Sequence, residues 1–529
     1  MERVRIRPLA IAAAVGALLL AAFVLSTDAD ASGRQVSLVP QKLPYTKVMP
    51  ALLPNSKENT SVIAQNDGNT AATIALDVYT PAGVLIPQAS KVEAGVPAGG
   101  TRTFAQAYNG GLTPGFRGVG VLSSDQPLNA LLVRDIEDAG TRKKSYSVHN
   151  AYATGANKVS LPYLSNQLNG IYNTRFAIAN TGSSTACVTV QYAYVGGGGF
   201  TDNGPGGGGC ASGYPVPVNG QIAFGPHSVP AEGTTAMPAA TVGKFMAATV
   251  TSTGSPVTVA VDAYLQSGLR KLASYDGFVV GEGDVATDDI GKVISIPLAI
   301  KTGGYYSQIL LSNPNNVAVT ATIVYRDGTS GQTYTVTRQV PANGTANSSV
   351  YDADSPVPEG FVGAATVTAN QPIAAVLFRS KMTGPGTFVD QDLYTAVSGV
   401  PVDRATNTVK LPLIFRHMYK AGAAYGYNTW VSVAVADGGT ANLTLTTVTD
   451  TSSTPASCGA APQYTTTKTI TGSFVFYQIQ NTDNGLGANP NCLWGGMTIT
   501  SDKPIIAISN STNDLRQGDN DGLYNAFAR

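Results

Sequence analysis

One element occurs four times in this chain, and it limits the possible folds more than any other feature. It reads "GFRGVGVLSSDQPLNALLV" (115–133), "GKFMAATVTSTGSPVTVAV" (243–261), "GFVGAATVTANQPIAAVLF" (360–378) and "LWGGMTITSDKPIIAIS" (493–509). Each copy is an apolar run, a polar turn with a proline, and a second apolar run. The proline stands at 127, 256, 372 and 504, so the copies are spaced 129, 116 and 132 residues apart. That period is too long for a propeller blade or a solenoid repeat. It suits a self-contained β-sandwich of about 100 residues with some seven short strands. The motif is then expected to be one hairpin, with its proline at the start of the penultimate strand, where it need not donate a ladder hydrogen bond.

Other elements fall into the same register. Each repeat opens on an apolar strand with a proline: "VMPALLP" (48–54), "SLPYL" (160–164), "SIPLAI" (295–300) and "KLPLIF" (410–415). Further on, "VAVTATIVY" (317–325) and "LTLTTV" (443–448) alternate apolar and polar residues, as a half-buried antiparallel strand does. Asp67-Gly68 and Asp437-Gly438-Gly439 carry hairpin-turn chemistry. A "VPAxGT" segment follows at 96–101, 229–234 and 340–345, with "ITGS" (470–473) in its place in the fourth repeat. A tyrosine-bearing strand closes each repeat: "SYSVHNAYA" (145–153), "ASYDGFVV" (273–280), "LYTAVSG" (393–399) and "LYNAFA" (523–528). The expected fold is all-β, four tandem antiparallel sandwiches at 48–153, 158–281, 292–400 and 408–529. The polar joints between them are short, which predicts a beaded rod.

The start of the chain reads as an export signal. A basic "MERVRIR" precedes the 17-residue apolar run 9–25, and "ADA" (29–31) fits the small-residue cleavage pattern. Residues 1–31 are thus a signal peptide, with an uncleaved anchor as the competing reading, and 32–47 form an N-terminal extension. An exported chain meets oxidising conditions, where disulfides persist. Local pairing, Cys187–Cys210 and Cys458–Cys492, is the simplest of the three connectivities open to four cysteines. Secretion or display at the cell surface follows, with no membrane partner after cleavage.

Charge excludes one partner class. Only 12% of residues are charged, and 33 basic residues balance 33 acidic ones, so nothing drives binding to nucleic acid. Catalytic motifs are also lacking: the chain has no HExxH, no GxSxG, and no phosphate-binding glycine motif before a helix. His149, His227 and His417 lie in three different repeats. A glycoside hydrolase needs paired carboxylates in a shaped pocket, and it is a remote alternative. The acids cluster at joints and turns. Asp284, Asp288 and Asp289, with Asp519 and Asp521, are read as solvated turn acids, with a structural calcium as the competing use and the one candidate cofactor. Tyr305, Tyr306, Tyr425 and Tyr427, with Trp430, precede or begin the second strand of repeats three and four. They are candidate glycan-stacking residues, against a plainer reading as packing. Trp494 is read as core. Sequons occur at Asn59, Asn343, Asn347, Asn442 and Asn510.

Three stretches carry a family likeness: "LPLI" (411–414), "FAIANTGSSTACVTVQY" (176–192) and "GFVGAATVTANQPIAAV" (360–376). In them the chain resembles the tandem immunoglobulin-like β-sandwich repeats of large secreted and surface proteins of filamentous Chloroflexus-type bacteria. The resemblance implies immunoglobulin-like sandwiches and a spacer, adhesive or surface-coat role, and it carries no catalytic residues. The function expected is that of an exported, non-enzymatic structural or adhesive surface protein, self-associating or binding other surface components. In one form residues 32–47 add as an edge strand to a neighbour. The alternative is a carbohydrate-binding surface protein that uses the loop tyrosines.

Overall fold

A computed structural model describes residues 45–52, 58–138, 143–152, 154–227, 234–265, 271–281, 289–382, 391–418, 426–513, 518–519 and 521–528. The signal segment and most of the extension lie outside these residues. Tyr45 to Lys47, at the end of the extension, already pair within the first repeat's own sheet.

The first repeat sets the pattern. Its strands are β1 (Tyr45–Leu52), β2 (Glu58–Asn66), β3 (Ala72–Tyr79), β4 (Lys91–Val96), β5 (Thr101–Ala105), β6 (Gly118–Ser124), β7 (Leu128–Asp138) and β8 (Lys143–Asn150). One sheet has the order β1-β6-β3-β4 and the other β8-β7-β2-β5. Ile74, Leu76, Val78 and Leu122 of the first sheet meet Val62, Leu128, Ala130 and Leu132 of the second in one core. The same pairings recur in the other three repeats. The molecule is therefore all-β. The immunoglobulin-like expectation departs in detail, because the ABED/CFG order of such domains does not describe these sheets.

The proline motif is not a hairpin. Its two runs, β6 and β7, lie in opposite sheets and do not pair with each other. In repeats three and four both runs belong to one continuous strand, Phe361–Met382 and Leu493–Asn513, which pairs in one sheet and then in the other. The proline sits at the crossing, where a ladder donor is not required. The Asp-Gly turns also join opposite sheets: β2 pairs with β5 and β7, whereas β3 pairs with β4 and β6. Turn chemistry is the same whether a chain reverses within a sheet or arches between two, so the turns alone mislead.

Nor do the repeats form a rod. The face of β7 turned away from its own core carries Leu131 and Val133, and these join the core of repeat four. Likewise Ala374, Val376 and Phe378 of repeat three join the core of repeat two, and Ile508 of repeat four joins that of repeat three. The first strand of each repeat lies across the second and seventh strands of the next. Thus β1 contacts Tyr172–Asn180 and Val257–Leu265, and Lys158–Asn166 contacts Tyr305–Ser312 and Phe361–Met382. Gly291–Thr302 contacts Tyr427–Val435 and Leu493–Asn513. Thr406–Arg416, in repeat four, contacts β2 and β7 of repeat one and closes a ring. The backbone seals the closure, since Gly518–Asp519 pairs in parallel with Lys144 and Ser145 of β8. Short joints permit this because these sheets have apolar residues on both faces, and burying the second face favours packing over extension.

The eighth strands lie at the centre. β8 contacts Lys271–Asp276 and Asp521–Asn525, and Gln391–Ser398 contacts the same two. Away from the axis, Cys187 bonds Cys210 and Cys458 bonds Cys492. The first closes a glycine-rich loop in which Gly196, Gly197, Gly198 and Gly206 to Gly209 all take left-handed backbone conformations, which only glycine adopts cheaply. The bonds span 23 and 34 residues, and a loop of that size constrains the unfolded chain by about 3–4 kcal/mol. A Cys458→Ser/Cys492→Ser variant is expected to unfold at clearly lower urea than the parent. Coincident urea curves for the two would refute this.

Candidate functional site

The centre of the ring holds the chemistry. Asn150, Asp276, Ser398 and Asn525 end the four eighth strands. Their register is the same, each pairing with the residue four positions after its motif proline: Leu131, Ala260, Val376 and Ile508. A small residue and then a larger apolar or aromatic one follow in each repeat: Ala151-Tyr152, Gly277-Phe278, Gly399-Val400 and Ala526-Phe527. These segments line a half-open pocket of ≈ 290 Å³, to which Asp289, Pro401 and Arg404 also contribute.

Hydrogen bonds fix the pocket's polar side. The Asp276 carboxylate accepts from the Asn150 backbone N–H at 3.1 Å and from the Tyr152 hydroxyl at 3.0 Å. The Asn150 side-chain amide donates to the Asn525 carbonyl at 2.8 Å, linking repeat one to repeat four. Asn525 Oδ1 is buried with no hydrogen-bond partner among the described residues. Asp289 accepts from the Val279 N–H at 3.0 Å and pairs with Arg404. Desolvation raises the Asp289 pKa above its ordinary value, although its side chain keeps 38% exposure and Arg404 works against the rise.

Beneath the pocket lies a buried charge network between repeats one and two. His149 Nδ1 is 3.1 Å from Asp276 and its Nε2 is 3.2 Å from Asp262. Asp262 also takes Arg134, Arg175 Nε at 3.0 Å and the Ser274 hydroxyl at 2.8 Å. Burial pulls the His149 pKa down, but the two carboxylates outweigh it and hold it above the usual histidine value. Burial pushes the Asp262 pKa up, and Arg134 foremost, with His149 and Arg175, holds it well below the usual carboxylate range. A histidine raised in the folded state stabilises fully below about pH 6.5 and loses that contribution as pH climbs through its folded value. The depressed Asp262 contributes above about pH 4 and loses this as pH falls. Stability is therefore expected to decline above neutrality, and His149→Gln is expected to flatten that decline. Parallel urea-midpoint profiles for parent and variant would refute the assignment.

Repeats three and four carry an echo of this network. Arg134 and Arg379 both stand seven residues after their motif prolines, and Asp262 and Asn510 stand six after theirs. Arg379, fully buried, bonds Asn510 Oδ1 at 2.9 Å and pairs with Asp521. The other two interfaces add aromatic contacts. Phe378 lies 4.9 Å from Tyr163, 5.4 Å from Tyr394 and 6.1 Å from Tyr275, ring centre to ring centre. Tyr146 lies 6.2 Å from Tyr427. The join between repeats four and one is charged as well, with Lys410 3.0 Å from Asp67 and Arg102 3.3 Å from Asp450.

The tyrosine strands gain a cause. Tyr524 Oη accepts from the Leu413 N–H at 3.2 Å and donates to the Leu413 carbonyl at 2.6 Å, and Tyr275 does the same at Tyr163. Both sites adjoin the proline of the repeat's first strand, where the ladder is irregular. His149 stands at the equivalent position in repeat one and bridges to repeat two instead.

The structure separates the residues singled out from sequence. Tyr305 and Trp430 come together: both rings face the Arg379 guanidinium, at 5.9 and 5.2 Å, and Tyr477 packs on Trp430 at 5.2 Å. Tyr306 is buried against Tyr351, and Tyr427 packs on Phe415 and Tyr146, so these two rings serve packing. Tyr305, Tyr306 and Tyr427 belong to strands rather than loops. Tyr425 lies outside the described residues, as do Asp284 and Asp288. Asp521 is not a solvated turn acid, since it lies in a strand, buried and paired with Arg379, whereas Asp289 is part-exposed in a bend and pairs with Arg404; Asp519 lies in the two-residue strand beside β8. Among the described residues no group of His, Cys, Asp and Glu is arranged to hold a metal ion. Trp494 is half-buried and packs edge-on against Phe415. The Asn510 sequon is closed to a glycan, because its side chain is buried between Arg379 and Asp521. Arg134, Arg379 and Asp262 escaped the sequence reading, although a shared offset from the motif proline was available as a signal, and His149 was noted there without a role.

No family model and no curated protein matches the chain. Among solved structures it is similar to a Thermotoga maritima protein, "Thermotoga maritima 1070", at 14% identity and a TM-score of 0.18, covering 21% of this chain and 96% of that one. It is also similar to a tetra-tandem repeat from the extending region of a large adhesion protein, at 11% identity and a TM-score of 0.11, covering 91% of this chain and 98% of that one. Among the described residues no helix is long and apolar enough to cross a membrane.

Proposed function

We propose that the protein is an exported, non-enzymatic structural or adhesive surface protein whose working unit is a closed block of four β-sandwiches. The observation that carries this reading is the use made of the buried charged groups. Arg134, His149, Asp262, Arg379 and Asp521 all join one repeat to another. Both ring nitrogens of His149 face carboxylates of repeat two, which suits a strut between two repeats. The outward surface suits lateral association. Lys91–Val96, Thr333–Val340 and Gln463–Thr471 each end their sheets. Such edges present unpaired backbone groups, and a neighbour joins them by strand addition. Fractionating the native culture with an antibody to the chain tests this, and recovery in a sedimenting surface fraction is expected. Recovery as a soluble monomer in the medium would overturn the structural role.

A second reading has its own observation. Tyr305, Trp430 and Tyr477 are partly exposed and cluster around Arg379 and Lys381, a grouping suited to stacking on a sugar ring. A glycan array with no hits for the purified protein would remove it.

A further inference from the structure

The edges that end the outward sheets are not equally open. That of repeat one, Lys91–Val96, carries two charged residues, Gly95 at a φ of 69° and a register shift against its neighbour. Repeat two ends in strands of four and three residues, Gly199–Asp202 and Tyr214–Val216. In repeat three the Asp327 N–H bonds the Gln332 carbonyl, and this phase turns the Thr337 carbonyl to the open side. The Arg338 guanidinium donates to that carbonyl at 3.1 Å, with Asp352 and Asp354 holding it in place. Shortness, bulges and charge are the usual means of blocking strand addition. Gln463–Thr471 in repeat four is neither short nor bulged, since it pairs with Thr440–Thr449 over nine residues in unbroken register. Its one charge, Lys468, is neutralised by Asp483 at 2.7 Å.

The phase of this ladder shows what the edge offers. The Gly472 N–H bonds the Gly439 carbonyl, and the Thr449 N–H bonds the Pro462 carbonyl, both at 2.9 Å. Bonded pairs alternate along an antiparallel ladder, so Tyr464, Thr466, Lys468 and Ile470 turn their backbone groups to the sheet. Thr465, Thr467 and Thr469 turn theirs outward, and among the described residues none of these N–H or carbonyl groups has a partner. The side chains of the same three threonines are exposed.

We propose that this edge pairs with the same edge of a second copy of the chain, antiparallel about a two-fold axis at Thr467. The proposal rests on the lateral association put forward above and names its partner and its contact. Centring on Thr467 sets outward groups against outward groups: Thr467 meets Thr467 of the second copy, Thr465 meets Thr469, and Gln463 meets Thr471. The strand is self-complementary in this register. Threonines oppose threonines and Tyr464 opposes Ile470, pairs that stabilise antiparallel sheets, while Lys468 opposes Thr466 rather than another lysine. The outer face already makes such contacts between its own strands. The hydroxyls of Thr440 and Thr471 lie 2.9 Å apart, and Thr469 donates to Asn442 Oδ1 at 2.7 Å. A second copy extends that ladder, and the two-fold closes the contact at two chains.

Sedimentation of the purified protein over a range of concentrations is expected to show a monomer–dimer equilibrium. Hydrogen exchange is expected to slow in 463–471, and not in 333–340, as concentration rises. Thr467→Pro removes an N–H that the strand's own sheet does not use. The two-fold counts that loss twice, so dimerisation is expected to weaken at least about tenfold. Thr335→Pro, at the matching site of the blocked edge in repeat three, is expected to leave it unchanged. Thr467→Lys sets like charges opposite each other at the axis and is also expected to weaken the dimer, which keeps the test open if Thr467→Pro does not fold. The proposal is overturned by a monomer at every concentration, by a dimer that Thr467→Pro and Thr467→Lys leave intact, or by one that Thr335→Pro dissociates. Recovery of the native protein in a sedimenting surface fraction alongside any of these three results would keep lateral association and move its contact elsewhere.

Discussion

Replacing Asp262 with alanine is expected to destabilise the protein by about 3–5 kcal/mol, because it strands buried charges of opposite sign. Arg134 and His149 have essentially no solvent access, and both use Asp262 as a partner. With the carboxylate gone, the two cations and Arg175 face one another in a low-dielectric space. The damage should centre on the join between repeats one and two. Hydrogen exchange should therefore accelerate in 143–150 and 271–276 more than in the outer strands. Asp262→Asn keeps part of the hydrogen bonding and should fall between the parent and the alanine variant in urea. An alanine variant with the parent's midpoint would show that the network does not hold this interface.

The second large effect is expected at an aromatic interface. Phe378→Ala should cost about 3–5 kcal/mol, the range for a buried phenylalanine whose site cannot collapse. Collapse is hindered here because Tyr163, Tyr275 and Tyr394 surround the ring from two different repeats. Phe378→Leu refills much of the space and should recover over half of the loss. The two interfaces should also differ in their response to salt and pH: the Phe378 variants should keep the parent's pH profile, while the Asp262 variants should not. If Phe378→Ala melted like the parent, repeats two and three would not be joined through this cluster.

Strand content and fourfold repetition are both legible in the amino-acid sequence, since alternation in "VAVTATIVY" and "LTLTTV" marks strands with one wet face. The packing of the repeats is written in a different pattern, one without alternation. "LNALLV", "IAAVLF" and "IIAI" are apolar at nearly every position, which is how a strand buried on both faces reads. Read that way, the second face needs a partner outside its own sandwich, and a neighbouring repeat supplies it. The central pocket leaves a fainter trace in the sequence. Asn150, Asp276, Ser398 and Asn525 are of three types and lie more than a hundred residues apart, so only the ring brings them together. His149 shows the same limit, because nothing local distinguishes a histidine that replaces Tyr275 or Tyr524 from an ordinary surface one.

Closure of the four repeats on one chain also changes how the assembly responds to dilution. A ring of four separate subunits dissociates by mass action as its concentration falls. Here the joints hold each sandwich next to its neighbour, and the effective concentration at each interface stays the same however few molecules are present. Tethering also frees each join to diverge, since Arg134 need suit only Asp262, and Phe378 only the tyrosines around it. In a ring of four identical subunits symmetry repeats each interface, whereas each of the four joins in this chain has residues of its own.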